Sequence, residues 1–306
     1  MITAICLNPS FDKTVVVDAM EIGAVNRVRD MRTDPGGKGT NVANVLTKLG
    51  AQARCLGLAG DIGAERYEEM LTAAGVLHGF LHVPGEIRTN LKIVSLDGKD
   101  CTEVNEPGPC VNGRLFTDLM RLVRDNCGQD DFLVLTGSLP PGCPEDTYAR
   151  LVRVLPVPCV VDASGETLRH SLEARPFLVK PNRAELCCAV GTNLATLDEI
   201  ETAARKLMDE GAQNVLVSLG GDGALLVTAD RVWHAPGIPV KVSSTVGAGD
   251  AMTAGFVAGY VETGDFEEAF RRGVAAGTAS VMTDGTQLIR RDDYDALLEQ
   301  VSIREV

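Results

Sequence analysis

The feature that most constrains this chain is a rhythm in which short apolar runs of strand length alternate with stretches of helical period. The runs lie at 2–7, 53–58, 132–135, 159–162, 177–180 and 214–219. Helical patterns lie at 41–49, 64–74, 111–126, 147–154, 197–210, 250–263 and 266–283, several of them ended by a glycine such as Gly50, Gly75 or Gly211. Strands and helices in this order predict a mostly parallel sheet covered by helices, an α/β fold. The 306 residues suit one main domain.

Two stretches break the rhythm. Residues 14–32 and 88–105 are rich in Val, Ile and Thr with polar residues interleaved, and helix signals are weak in both. They read as strands of a small separate sheet. No polar linker sets this sheet apart, so it is an excursion from the main domain whose apolar face needs a cover. A lid over a site, or a partner subunit, would provide one.

Charge narrows the ligands. Acidic residues number 42 against 29 Lys plus Arg, a net charge of −13. Such a field repels nucleic acid and anionic membranes, so an anionic ligand must be held by a local group of cations and backbone amides. The opening residues lack the pattern of a signal peptide, and no apolar run nears the roughly 18 residues of a membrane span. A cytoplasmic protein is expected. The nine cysteines show no zinc-like spacing and read as reduced thiols, with the neighbours Cys187 and Cys188 as core filling.

The most informative motif runs from Thr245 to Phe256, where a glycine-rich turn enters a helix. Amides left unpaired by such a turn, at the positive end of the helix dipole, form an anion hole suited to a phosphoryl group in transit. Asp250 falls in the first turn, placed to take a proton from an attacking hydroxyl. A plain helix cap would look the same locally. A second glycine-rich loop, Gly36 to Gly39, leads into Asn41 and carries Lys38; open amides, an amide side chain and a cation suit a polyhydroxylated anion. It lacks the spacing of a P-loop, and no GxGxxG follows the first strand, so neither of those nucleotide folds is expected. Asp12 can accept from sugar hydroxyls. Lys180, Asn182 and Glu185 emerge after an apolar strand, where open α/β sheets bind ligands, and Glu185 can hold Mg²⁺ through water. Ser218, Gly220 and Gly223 form a tight turn that suits either a nucleotide or a bare hairpin.

Taken in order, these segments resemble the ribokinase-like carbohydrate kinases of the PfkB family, nearly end to end. Gly36-Gly37-Lys38-Gly39 through Ala43 and Thr245 through Phe256 carry the resemblance, supported by Asp162-Ala-Ser-Gly165, Lys180-Pro-Asn182 and Ser218 through Gly223. Ala163 stands where the related motif often has Thr. The segments 8–14, 25–27, 88–92 and 102–108 are similar to the branch of 1-phosphofructokinases and tagatose-6-phosphate kinases. The resemblance implies a three-layer α/β/α core with a β-sheet lid, and ATP and Mg²⁺ as requirements. It implies Asp250 as base, with Gly247, Ala248 and Gly249 at the anion hole. Asp12, Arg27, Gly36, Gly37, Lys38, Asn41, Arg88, Asn105 and Ser138 are expected around the sugar phosphate. Lys180, Asn182, Ser218, Gly220, Gly223, Thr245, Gly247 and Gly249 are expected around ATP. The favoured acceptor is fructose 1-phosphate; tagatose 6-phosphate, fructose 6-phosphate, an unphosphorylated sugar or a nucleoside are the alternatives, and an inert sugar-phosphate sensor is the reading from another class. A homodimer through the lid is expected.

Overall fold

The structure, a computed structural model, describes residues 1–97, 101–283 and 287–306. Strand β1 (Ile2–Cys6) is followed by the lid strands β2 (Ser10–Val17) and β3 (Asp30–Gly36), then helix α1 (Lys38–Lys48). Next come β4 (Ala53–Ile62), α2 (Ala64–Ala73), β5 (Leu77–Glu86), and two more lid strands, β6 (Arg88–Ser95) and β7 (Cys101–Asn105). The alternation resumes with α3 (Gly113–Asn126), β8 (Phe132–Thr136), α4 (Thr147–Val154), β9 (Cys159–Asp162), α5 (Gly165–Leu172), β10 (Leu178–Val179), α6 (Arg183–Val190) and α7 (Leu197–Asp209). It closes with β11 (Val215–Ser218), β12 (Ala224–Val227), β13 (Val232–Ala235), α8 (Ala248–Thr263), α9 (Phe266–Val281), α10 (Arg291–Leu298) and β14 (Arg304–Glu305).

The main sheet has ten strands in the order β14-β13-β12-β11-β10-β9-β8-β1-β4-β5. Strands β5 through β11 pair in parallel, and only the β11–β14 edge is antiparallel. Side-chain alternation builds the layers. On β1, Ile2, Ala4 and Cys6 enter the core under α1, α2, α8, α9 and α10, while Ile5, and Leu7 just beyond the strand, enter the core under α3, α4 and α7. Phe132 and Val134 against Leu133 and Leu135 repeat the split on β8. Burial on both faces is why these strands read as unbroken apolar runs. Among the described residues, no helix is long and apolar enough to cross a membrane.

The second sheet has the order β3-β2-β6-β7. The expected segment 88–105 forms β6 and β7, with 98–100 outside the described residues. The expected segment 14–32 is strand only at its two ends. Between Val17 and Asp30 it turns through Gly23, at φ +83°, and Asn26 closes the turn through two 2.8 Å hydrogen bonds to the backbone of Glu21. An amide that satisfies both backbone groups of one residue competes with strand pairing. Val15 and Val17 are buried within the chain, and exposed apolar residues include Ile22 (97%), Val25 (86%) and Val28 on the turn, Met31 on β3 and Val104 on β7.

Candidate active site

Five parallel strands, β1, β8, β9, β10 and β11, end at one cavity of about 1180 Å³. Ligands bind at this end of open α/β sheets because loops diverge there and helix N-termini point inward. The lid supplies the remaining wall. Strand alternation puts Arg88, Asn90 and Lys92 of β6 on one face, and register brings Asp12 beside Asn90 and Asn90 beside Asn105. All five line the cavity.

Asp12 is buried and heavily bonded. Its Oδ1 accepts from Ser10 Oγ at 2.8 Å and Asn90 Nδ2 at 3.0 Å, and Lys92 Nζ lies 3.4 Å from Oδ2. The backbone of Gly36 presses against the carboxylate: a side-chain carbon there would sit 2.3 Å from Asp12 Cγ. Arg88 donates to the Asn8 carbonyl at 3.1 Å and the Glu106 carbonyl at 3.1 Å, and burial lowers its pKa. Asn8 in turn donates to Ser138 Oγ at 3.2 Å.

The far wall is the turn into α8. Gly247 is left-handed at φ +78°, and Ala251 N is the amide that returns to the Gly247 carbonyl. The amides before it lie in the orphan first turn; Ala248 N makes only a 3.4 Å contact with Thr245 O. Asp250 is 4% exposed at that helix end and accepts from Asn41 Nδ2 at 2.8 Å. Burial raises its pKa to about 6 against the pull of Lys38, so the carboxylate is a competent proton acceptor near neutrality. Asp162, at the end of β9, is pushed up by burial, but Lys180 and Lys38 outweigh this and hold it below its usual value.

Asn182 and Glu185 form a capping box on α6, with Asn182 N donating to Glu185 Oε2 at 2.8 Å. The carboxylate faces the cavity. Among the described residues no three His, Cys, Asp or Glu side chains converge as a metal cage. One carboxylate facing a roomy cavity suits Mg²⁺, which keeps waters and takes phosphate oxygens as its other partners. Ser218, Gly220 and Gly223 line the same arm, and the turn is both a hairpin between β11 and β12 and a cavity wall. Ile238, Val240 and Val281 make that arm apolar.

Of the residues expected from sequence, Arg27 and Gly36 do not line the cavity: Gly36 stands behind Asp12, and Arg27 is exposed on the 18–29 turn. Cavity residues outside the expected set include Asn8, Asn90, Lys92, Thr136 and Asp162. Asn90 and Lys92 were within reach, two and four residues from Arg88 on a strand. Arg88 and Lys38 both line the cavity; Arg88 donates to the Asn8 and Glu106 carbonyls, and Lys38 Nζ lies 3.7 Å from Asp162 Oδ1.

The profile described as pfkB family carbohydrate kinase matches residues 7–292. A 1-phosphofructokinase of Bacillus subtilis is 35% identical over 306 residues, 99% of each chain. One of Escherichia coli is 33% identical over 310 residues, 99% of this chain and 98% of that one. The structure of phosphofructokinase-2 from Escherichia coli in complex with substrates and products superposes with a TM-score of 0.93 at 31% identity, over 98% of this chain and 99% of that one.

Proposed function

The chain belongs to the pfkB family of carbohydrate kinases, and from that premise we propose that it transfers the γ-phosphoryl group of ATP to fructose 1-phosphate, giving fructose 1,6-bisphosphate. The observation that carries the reading is Asp250: a buried carboxylate, ionised near neutral pH, at a helix N-terminus between a polar lid and a glycine-rich, apolar arm. Relatives of both full length and matching name favour this acceptor.

The acceptor hydroxyl gives its proton to Asp250 as its oxygen bonds to the γ-phosphorus, and the bond from phosphorus to the departing ADP oxygen breaks. Asn41 orients Asp250. Amides at Gly247, Ala248 and Gly249 face the charge that builds on the transferring group, a preorganised effect that can lower barriers by several kcal/mol, on the order of 3 per donor. Asp12 and Asn90 accept and donate toward sugar hydroxyls, with Asn105 and Ser138 at the margin and Arg88 toward the acceptor's own phosphate. The apolar wall beside Ser218, Gly220 and Gly223 takes the adenine, and Lys180, Asn182 and Thr245 border the phosphates. Glu185 would hold Mg²⁺ through water. When bound, the metal neutralises phosphate charge.

Two chains pair through their lids in this reading, with Ile22, Val25 and Val104 as the covered apolar face. Arg27, carried by the same turn and outside its own chain's cavity, reaches acceptor phosphate across that pairing. The nine free cysteines fit a cytoplasmic enzyme. The deciding experiment is coupled ADP release with fructose 1-phosphate, tagatose 6-phosphate and fructose 6-phosphate at matched concentrations. Highest kcat/KM on fructose 1-phosphate is expected; preference for either 6-phosphate would move the acceptor, and no release with any would end the kinase reading.

A further inference from the structure

Two lysines from separate elements share one buried carboxylate. Lys38 Nζ lies 3.7 Å from Asp162 Oδ1, and Lys180 Nζ lies 3.5 Å from Asp162 Oδ2. Lys38 opens α1, Lys180 follows β10, and Asp162 ends β9, so two strand ends and one helix start build the cluster. Asp162 is 1% exposed, yet neither of its oxygens has a hydrogen bond of ordinary geometry. Charge-assisted hydrogen bonds usually close to about 2.7–2.9 Å. The two ammonium groups are therefore held near Asp162 by charge and keep donors for something else, since each carries three N–H groups.

Their surroundings say what that is. Lys180 Nζ lies 3.2 Å from where a side chain on Gly249 would begin, which sets it against the amides of the α8 turn. Lys38 is one helical turn from Asn41, and Asn41 binds Asp250. Asp162, Asp250 and Glu185 all act on the Lys38 ammonium and raise its pKa. Those carboxylates surround the place where a proton leaves and a phosphoryl group arrives. Arg88, by contrast, is bonded to the Asn8 and Glu106 carbonyls.

We propose that Lys38 and Lys180, held on the shared carboxylate of Asp162, flank the phosphoryl group in transit, and that Lys38 binds this group and not the phosphate already on the acceptor. The inference rests on the phosphotransfer reading above. As the acceptor oxygen bonds to phosphorus, the proton passes to Asp250 and the electron pair of the breaking bond leaves with ADP. The three non-bridging oxygens then meet an ammonium on either side and the α8 amides behind. Asp162 is the positioning residue: its one negative charge draws in two cations that would otherwise repel each other when no phosphate is present, and leaves the trio net positive.

The test separates the two phosphates. For Lys38→Ala, calorimetry without nucleotide should give a fructose 1-phosphate affinity within about threefold of the parent, while kcat falls about 10²–10³-fold, the usual scale for losing one donor to a transition-state charge. Affinity for ADP with aluminium fluoride and fructose 1-phosphate, a mimic of the group in transit, should fall by a comparable factor. Lys38→Arg should recover part of both. A tenfold or greater loss of fructose 1-phosphate affinity, or a kcat within threefold of the parent, overturns the assignment and makes Lys38 an acceptor clamp or a bystander. A parent chain that releases no ADP with any ketohexose phosphate would instead overturn phosphotransfer itself, and this inference with it.

Discussion

Asn41 Nδ2 donates to Asp250 Oδ2 at 2.8 Å, joining the first turns of two helices whose sequence positions are 209 residues apart. The bond engages one carboxylate oxygen of a residue that also lines the cavity. With burial holding the pKa at about 6, the group is ionised at pH 7 and protonated in mild acid.

Asp250→Asn should lower kcat by a factor of roughly 10² or more with substrate affinities retained, as removal of a general base does. For the parent, kcat/KM, which reports the free enzyme, should fall on the acid side with an apparent pKa near 6. A flat profile from pH 5 to 8 would remove Asp250 from the proton's path.

The same shift predicts a gain in stability. The folded pKa, about 6, exceeds the ordinary 3.8, so the folded state binds this proton more tightly than the unfolded chain does. Its contribution is present below the unfolded pKa and is lost as pH rises through 6. Asp250→Asn removes that charge, so its melting temperature at pH 7.5 should exceed the parent's. A lower one would mean that the Asn41 contact outweighs the burial of charge.

Arg88→Ala should raise KM for fructose 1-phosphate by about 10- to 100-fold and leave KM for ATP within about threefold, since one charged partner of a bound phosphate is worth about 1.5–3 kcal/mol. Equal losses for both substrates would point to a disturbed lid, because Arg88 also bonds the Asn8 and Glu106 carbonyls.

Gly36→Ala tests Asp12 without touching its charge. The added methyl would start 2.3 Å from Asp12 Cγ, closer than side chains approach, so the carboxylate must move off Ser10 and Asn90. Acceptor affinity should drop at least tenfold while ADP binding persists. Unchanged kinetics would show that Asp12 is not a sugar contact.

Ile22→Asp places a charge on a residue 97% exposed in the single chain. Sedimentation at micromolar concentration should give a dimer for the parent and a monomer for the variant. A parent that is monomeric with and without substrate would end the shared-lid reading and leave the phosphotransfer reading in place.

Much of the fold was legible in local pattern. Runs such as Phe132–Thr136 have no polar face because helices cover both sides, so strand and layer follow from composition over five residues. The helix from Phe266 was likewise readable from its period, and its observed end is Val281. The turn at 18–29 was not, because Val25 and Val28 favour strand while Asn26, through two hydrogen bonds to the Glu21 backbone, closes the turn. Strand β5 also escaped notice. It carries His78, Gly79, His82 and Pro84 and is an edge held by β4 alone in the main sheet.

The sequence by itself determined the two glycine-rich turns, the carboxylate at the second, and the parallel α/β layering, because backbone conformation and side-chain period are set by neighbours along the chain. Only tertiary structure decided which charges meet. Lys38, Asp162 and Lys180 are separated by 124 and 18 residues, and local pattern assigns each its own turn or strand end. Their meeting depends on β9 lying between β8 and β10, with α1 beginning over the same strand ends. Coulomb energy falls with distance through space and takes no account of distance along the chain, so the grouping of the two lysines on Asp162 exists only once the sheet order is in place.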